Sequence, residues 1–174
     1  MPFFSQMAGR QVLDAHGQSL GKIADLVVSA DSNYPVIKAV AVRDGRRNDT
    51  TLIPWDQVLN FDTTVVLRHD GGHLTSYIPG EHELFVGGQI LDRQIVDVEG
   101  RKVVRVNDLQ LARTNGHYRL IGVDISGQAL LRRLGIQQVA SKLGIRPREN
   151  FILDTELIDD FRQVGRMKAC EILM

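Results

Sequence analysis

The sequence has little of several features that mark common classes of protein. Its 174 residues include one cysteine, Cys170, so no disulfide can form within the chain, which favours a reducing cytoplasmic setting. No apolar run reaches the roughly 18 residues that a membrane-spanning helix needs. The N-terminus has no basic segment followed by a long apolar core, so we do not expect a signal peptide. Together these absences predict a cytoplasmic protein without a membrane span of its own.

An excess of one charge and the common catalytic motifs are also missing. The 21 basic residues are balanced by 21 acidic residues, whereas general nucleic-acid binders usually carry a basic excess. The sequence has no Gly-x-Ser-x-Gly, no phosphate-binding glycine loop with lysine, no cysteine pair and no His-Glu-x-x-His. His69 and His73 lie four residues apart, but the two glycines between them argue against a helical zinc site. We therefore predict a protein that is not an enzyme and that binds no metal and no cofactor.

The chain does contain an internal repeat with a constant spacing of 83 residues. The ungapped match relates residues 12–40 to residues 95–123. It pairs three polar or turn residues of the first copy with three of the second: Asp14 with Asp97, Gly17 with Gly100, and Asp25 with Asp108. An ungapped match of this length indicates that the chain arose by duplication of one unit.

Both copies have the pattern of short strands joined by tight turns. Gly17 and Gly100 interrupt short apolar runs, where glycine supplies the positive φ that a hairpin turn requires. Many short strands with regular turns predict a mainly β fold, which we interpret as two tandem small β-barrels. The first barrel is expected in residues 1–70, a linker rich in glycine and polar residues in 71–83, and the second barrel in 84–174.

The repeated polar residues suit structural roles at turns and corners. Carboxylates can bind Mg²⁺ or Ca²⁺, but Asp14 and Asp97 stand beside turn glycines and are expected to cap those turns. Asp25 and Asp108 are expected to fix strand ends by hydrogen bonds rather than to bind a ligand. Trp55, the one tryptophan, follows a proline and is expected to fill a barrel corner, with an interface anchor as the alternative.

The second copy carries a basic insertion near residues 128–146 that the first copy lacks, and its apolar spacing predicts a short helix. Five basic residues mark it as the leading candidate for partner binding: Arg132, Arg133, Lys142, Arg146 and Arg148. A basic amphipathic stretch can contact anionic lipid, RNA or an acidic partner, or it can cap the barrel with its charges in solvent. The apolar pair Phe3 and Phe4 is a second candidate, which either contacts a partner or covers the first barrel.

These residues resemble the PRC-barrel family. The resemblance lies in the stretch from Gly9 to Leu26, with its Asp-x-x-Gly turn and closing Asp-Leu, and in the Ile-Pro-Trp-Asp corner at residues 53–56. The second copy and its insertion are similar to a tandem form that precedes magnesium-transporter (MgtE-type) N-terminal and CBS modules. The resemblance covers roughly residues 8–68 and 86–158.

The resemblance implies a role in docking rather than in catalysis. More distant members are the cytoplasmic part of the photosynthetic reaction-centre H subunit and the C-terminal part of the ribosome-maturation factor RimM. We therefore expect a non-enzymatic docking or assembly module that binds a larger complex, on the cytoplasmic face of a membrane protein assembly such as a reaction centre. The alternatives are a regulatory module in magnesium transport and a ribosome or RNA assembly factor.

Overall fold

The first half of the chain forms one large antiparallel-rich sheet. The computed structural model describes residues 1–29, 31, 34–45, 49–96, 103–114, 116–125 and 152–154. Six strands follow one another: β1 (Gln11–Leu13), β2 (Ser19–Ser29), β3 (Ile37–Asp44), β4 (Asp49–Pro54), β5 (Val58–Phe61) and β6 (Val65–Leu67). Their order across the sheet is β4-β3-β2-β1-β6-β5, with β1 and β6 parallel. A seventh strand, β7 (Glu83–Phe85), pairs with β2.

In its described residues, the second half contributes two smaller sheets. Strands β8 (Gln94–Val96) and β9 (Val103–Arg105) pair with each other, and β10 (Asp108–Thr114), β11 (His117–Asp124) and β12 (Ile152–Asp154) form a three-stranded sheet. The prediction of a mainly β fold is therefore confirmed. Among the strands that the structure describes, no sheet closes into a barrel. The predicted helix near residues 128–146 lies outside the described residues.

In the part of the chain that the structure describes, helical structure is confined to short pieces at strand ends. Helix α1 (Phe4–Met7) precedes β1, and single turns of 3₁₀ helix occupy Trp55–Gln57 and Gly71–His73. A π turn, Val86–Ile90, follows β7. The break in the sheet at Trp55 has a simple cause, because the preceding proline lacks the N–H that would continue the ladder.

One hydrophobic core joins the two halves. Strand β3 is buried along most of its length, as its β-branched composition predicts for a strand covered on both faces. Buried side chains of the first sheet, such as Leu26 and Val40, belong to the same cluster as Leu109 and Leu120 of the second half. Burial of each such side chain stabilises the fold by about 1.5–3 kcal/mol, so this shared core holds the halves together.

The segment predicted as a linker remains in contact with the first sheet. The backbone N–H of Tyr77 donates to the carbonyl of Leu52 on β4, at 2.8 Å. The Tyr77 hydroxyl donates to Glu83 at 2.6 Å, and burial, reinforced by this carboxylate, raises the pKa of Tyr77 to about 12. Residues 71–83 therefore lead directly into β7, and β7 lies against β2 of the first half.

Candidate docking groove on the first sheet

An open groove of about 680 Å³ lies over the first three strands of the sheet. Its lining includes Gln11 of β1, Lys22 of β2 and Arg43 of β3, together with Gly9. A volume in this range is sufficient for a short peptide segment or a small ligand. We call this feature the Lys22 groove.

A row of exposed side chains crosses the sheet along the groove. The strand register places Gln11 opposite Lys22, Lys22 opposite Arg43, and Arg43 opposite Thr50. Residues directly opposite on neighbouring strands point to the same face of a sheet, and all four side chains are exposed. The row therefore presents two adjacent positive charges to solvent.

The adjacency of Lys22 and Arg43 is electrostatically unfavourable for the isolated protein. Like charges directly opposite each other destabilise a strand pair. Asp44 is the one acidic residue among those lining the groove. An acidic group brought into the groove would relieve this repulsion, so the geometry favours an anionic ligand.

A glycine of β2 lines the groove and lies against the backbone of β3. Gly21 has a φ of 136°, and a Cβ placed there would lie 2.2 Å from the carbonyl oxygen of Arg43. No other residue fits without moving one of the two strands. The close approach of β2 to β3 at this point therefore depends on Gly21, and it brings Lys22 beside Arg43.

The Asp14 turn stands at the end of β1, away from the groove walls. Asp14 is buried, and one carboxylate oxygen accepts hydrogen bonds from the N–H groups of His16 and Gln18 at 2.9 and 2.8 Å. The Gln18 N–H is the main reason why the pKa of Asp14 lies below its usual value. Gly17 occupies the turn with a φ of 79°. The second oxygen accepts from Gly71, which fastens the start of the predicted linker to this turn.

Asp25 and Asp108 hold short helical turns that belong to the other half. Asp25 accepts from Gly87 and Gly88 at 2.6 and 3.0 Å, and from the N–H of Leu26. Burial raises the pKa of the Asp25 carboxyl in spite of these hydrogen bonds. Asp108 is fully buried and accepts from both the N–H and the hydroxyl of Ser5, at 3.1 and 2.6 Å.

Trp55 packs in an aromatic cluster at the junction of the two halves. Its ring lies edge-to-face with Phe61 at 4.9 Å and with Tyr118 at 5.6 Å. The Tyr118 hydroxyl donates to the carbonyl of Phe61, at 3.1 Å. Edge-to-face aromatic pairs contribute about 0.5–1.5 kcal/mol beyond their buried area, so the cluster stabilises this junction.

Among the predicted partner-binding residues, the structure describes the two phenylalanines. Phe4 is buried in the core and Phe3 is half-buried, and both contact the second half of the chain through the helix α1 region. The remaining predictions lie outside the described residues: Arg132, Arg133, Lys142, Arg146 and Arg148 for binding, and Asp97 and Gly100 for turns.

Sequence patterns did not single out the Lys22 groove. Lys22 and Arg43 are 21 positions apart, and their contact depends on a strand register that includes a bulge between Ile23 and Asp25. A bulge adds one residue to one strand and shifts every later pair, so it cannot be read from alternation alone. The one available signal was Gly21, an isolated glycine within a strand pattern, which marks a bulge or a close approach of backbones.

A small β domain with an exposed charged groove is the class that this geometry defines. Residues 1–74, which contain all of β1 to β6, match the model of the PRC-barrel domain. A comparison with curated proteins finds no match. None of the helices in the described residues is long and apolar enough to span a membrane. The same part of the chain holds no cluster of three or more side chains suited to a metal ion.

Proposed function

We propose that this protein is a non-enzymatic docking module that attaches to a larger protein assembly by binding an acidic segment in the Lys22 groove. The observation that carries the proposal is the exposed pair of like charges, Lys22 and Arg43, held side by side over an open groove. An opposing carboxylate would convert this repulsion into attraction.

A protein segment fits the groove better than RNA does. Two cations and a net charge of zero would neutralise few phosphates, whereas RNA binding gains its affinity from many such contacts. The groove also presents strand backbone and the half-buried Ala24 beside the charges. An extended peptide with one or two carboxylates matches this mixture of apolar, hydrogen-bonding and positive surface.

The PRC-barrel match supports a docking role, because the family resemblance implies attachment to larger complexes rather than catalysis. We place the partner in an assembly on the cytoplasmic face of a membrane, which is the setting that this resemblance implies. The protein would reach the membrane through that partner.

The proposal is tested by charge reversal in the full chain. Tagged wild type, a Lys22→Glu/Arg43→Glu variant and a Lys38→Glu control are expressed in the native cells, and co-purifying proteins are quantified. Lys38 is also an exposed lysine on β3, but it lies outside the groove. We expect a stoichiometric partner with the wild type and with the control, and loss of that partner with the double variant.

Direct binding then distinguishes the chemistry of the partner. Acidic segments of the recovered protein are synthesised and titrated against the wild type and the double variant, in parallel with poly(U) RNA and vesicles of anionic lipid. Saturable binding of an acidic peptide that the double variant lacks supports the proposal. Preferential binding of RNA or vesicles, or a partner that the double variant retains, overturns it.

A further inference from the structure

The two halves of the chain meet about an approximate two-fold axis. Val36 forms an isolated antiparallel bridge with Arg119, the residue 83 positions later in the sequence. A residue that pairs with its own equivalent lies on a two-fold axis, as in the interface of a symmetric dimer. The spacing of 83 is the same as that of the sequence repeat.

Backbone hydrogen bonds repeat at the same spacing. The N–H of Gly9 donates to Ile23 at 2.8 Å, and the N–H of Asp92 donates to Val106 at 2.9 Å. Gly9 and Asp92 also share a positive φ, of 79° and 64°. This equivalence reaches further towards the N-terminus than the match over residues 12–40. It includes the identical residues Gln6 and Gln89, Arg10 and Arg93, and Gln11 and Gln94.

The segments that precede these positions are exchanged between the halves. The N–H of Ser5 donates to Asp108 at 3.1 Å, and the N–H of Gly88, its equivalent, donates to Asp25 at 3.0 Å. Each carboxylate therefore holds the turn that leads into the other half. The donors and acceptors differ by the repeat spacing, so the same docking contact occurs twice.

Strand pairing accompanies each of these contacts. Phe3 bridges Gln110 on β10, while Phe85 of β7 pairs with Val27 on β2. Gln110 is the equivalent of Val27, and Phe85 lies one residue before the equivalent of Phe3, so the two pairings differ by one residue in register. Each half is thus completed by a short strand and a turn that belong to its counterpart. Such mutual completion within one chain has the geometry of a domain-swapped dimer.

The N-terminal segment Met1–Ala8 is positioned so that it can detach from the second half and dock there again. It is followed by Gly9, which is exposed and has a left-handed backbone conformation. No atom lies within 4 Å of a Cβ built on Gly9. Release exposes the buried side chains of Phe4 and Met7, so an open segment gains by docking again.

We propose that the Asp108 site is a binding site for the N-terminal segment of a second copy of this chain, so that two chains form a dimer by exchanging residues 1–8. The exchanged dimer keeps every docking contact of the monomer, which makes exchange a low-cost route to association. The competing monomer is favoured by the high effective concentration of the tethered segment, so the dimer forms at high protein concentration.

The test uses full-length chains in which Cys170→Ser removes the native thiol. One chain carries Phe3→Cys and the other carries Gln110→Cys, two positions that face each other in the antiparallel bridge. Opposed residues in such a bridge have Cα atoms about 4.5–5.5 Å apart, a separation that a disulfide spans. The chains are mixed at high concentration, incubated and oxidised with glutathione disulfide, and the covalent dimer is quantified on a non-reducing gel.

Two controls test the docking contact within one chain and the background of random cross-linking. A single chain with both Phe3→Cys and Gln110→Cys should cross-link within itself, and failure to do so overturns the docking contact. Phe3→Cys mixed with Ile78→Cys, at an exposed position, sets the background of random collision. We expect at least about tenfold more covalent dimer from the mixture with Gln110→Cys than from the mixture with Ile78→Cys. Adding Asp108→Ala to the chain that carries Gln110→Cys should lower the amount of dimer. Equal dimer in the two mixtures overturns the exchange.

Discussion

The same position in the two halves has opposite electrostatic surroundings. Lys22 lies opposite Gln11 on the neighbouring strand, and its equivalent Arg105 lies opposite Gln94. Arg105 has a carboxylate 3.4 Å away, from Asp92. The residue equivalent to Asp92 in the first half is Gly9, so Lys22 lacks this acidic neighbour.

The difference shows how substitutions in a shared framework change the charge of a surface, since Gly9 corresponds to Asp92 and, at the same spacing, Arg43 of the groove corresponds to Ser126. Gly9 and Asp92 both have the left-handed backbone that glycine and aspartate tolerate better than most residues. An exposed ion pair adds little stability, typically 0–1 kcal/mol, so Asp92 changes the surface far more than the fold. Stability and binding can therefore be varied separately at these positions.

Substitution at position 21 is expected to have the largest effect on the unfolding free energy, because the residue of the second half is not tolerated there. The equivalent of Gly21 is Val104, which has no positive φ. In Gly21→Val the new side chain meets the Arg43 carbonyl and the unfavourable φ together, so we expect a loss of about 3 kcal/mol or more in unfolding free energy. Urea denaturation measures it. Gly17→Ala has the positive φ but open space, and should lose only about 1 kcal/mol; equal losses would contradict the steric argument.

The next largest losses of unfolding free energy are expected on removal of the two docking carboxylates, Asp108 and Asp25. Asp108 is fully buried and Asp25 is half-buried, so removal of Asp108 leaves the more deeply buried donors unsatisfied. We expect Asp108→Ala to cost about 3 kcal/mol of unfolding free energy and Asp25→Ala about 1–2 kcal/mol. Thermal denaturation of both variants and of an exposed control, Asp56→Ala, shows which variant loses more stability. A larger loss for Asp25→Ala than for Asp108→Ala would contradict the argument from burial.

Acid titration separates Asp14 from Asp25. The pKa of Asp14 is lowered below 3.8 by its backbone hydrogen bonds, so its stabilising effect is present above pH 3.8 and is lost as the pH falls through the lowered value. The pKa of Asp25 is raised by burial, so its contribution is present below pH 3.8 and is lost as the pH rises through the raised value. Unfolding free energy between pH 2 and 7 should fall less steeply with acid in Asp14→Asn and more steeply in Asp25→Asn. The opposite signs would contradict these assignments.

The smallest effect on stability, but a clear one on binding, is expected at position 9. Gly9→Asp transfers the carboxylate of Asp92 to the first half, beside Lys22, where it should neutralise the groove. We expect a change in unfolding free energy of about 1 kcal/mol or less, and binding of the acidic partner weakened about tenfold. Gly9→Asn has the same shape without the charge and should bind like the wild type. Equal binding by Gly9→Asp and Gly9→Asn, measured by calorimetry, would place the partner elsewhere.

The mainly β fold could be predicted because it depends on local patterns. Short apolar runs, turn glycines such as Gly17 and the proline before Trp55 act within a few residues, and the structure has strands and breaks at these places. The spacing of 83 residues was also visible, although the equivalence of residues 3–11 with 86–94 was missed. That stretch has three identities among weaker matches, and its docking hydrogen bonds reveal the equivalence more clearly than its side chains do.

The candidate site could not be predicted, because it depends on contacts between distant parts of the chain. Lys22 and Arg43 become neighbours through a bulged register, and Gly9 reaches them through a hydrogen bond to Ile23. The exchange of residues 1–8 and 84–91 likewise crosses the boundary that composition places between the halves. Composition and local periodicity carry no information on which half a docking strand completes.

The approximate two-fold axis through Val36 and Arg119 has a consequence for valency. A dimer of identical units would present two equal grooves and could bridge two partners into a growing network. In this chain the halves share one framework but differ at Gly9 and Asp92, and the positive charge of Arg105 is already compensated. A single chain docked through the Lys22 groove would therefore bind one partner, whereas the exchanged dimer proposed above would carry two Lys22 grooves and could join two partners.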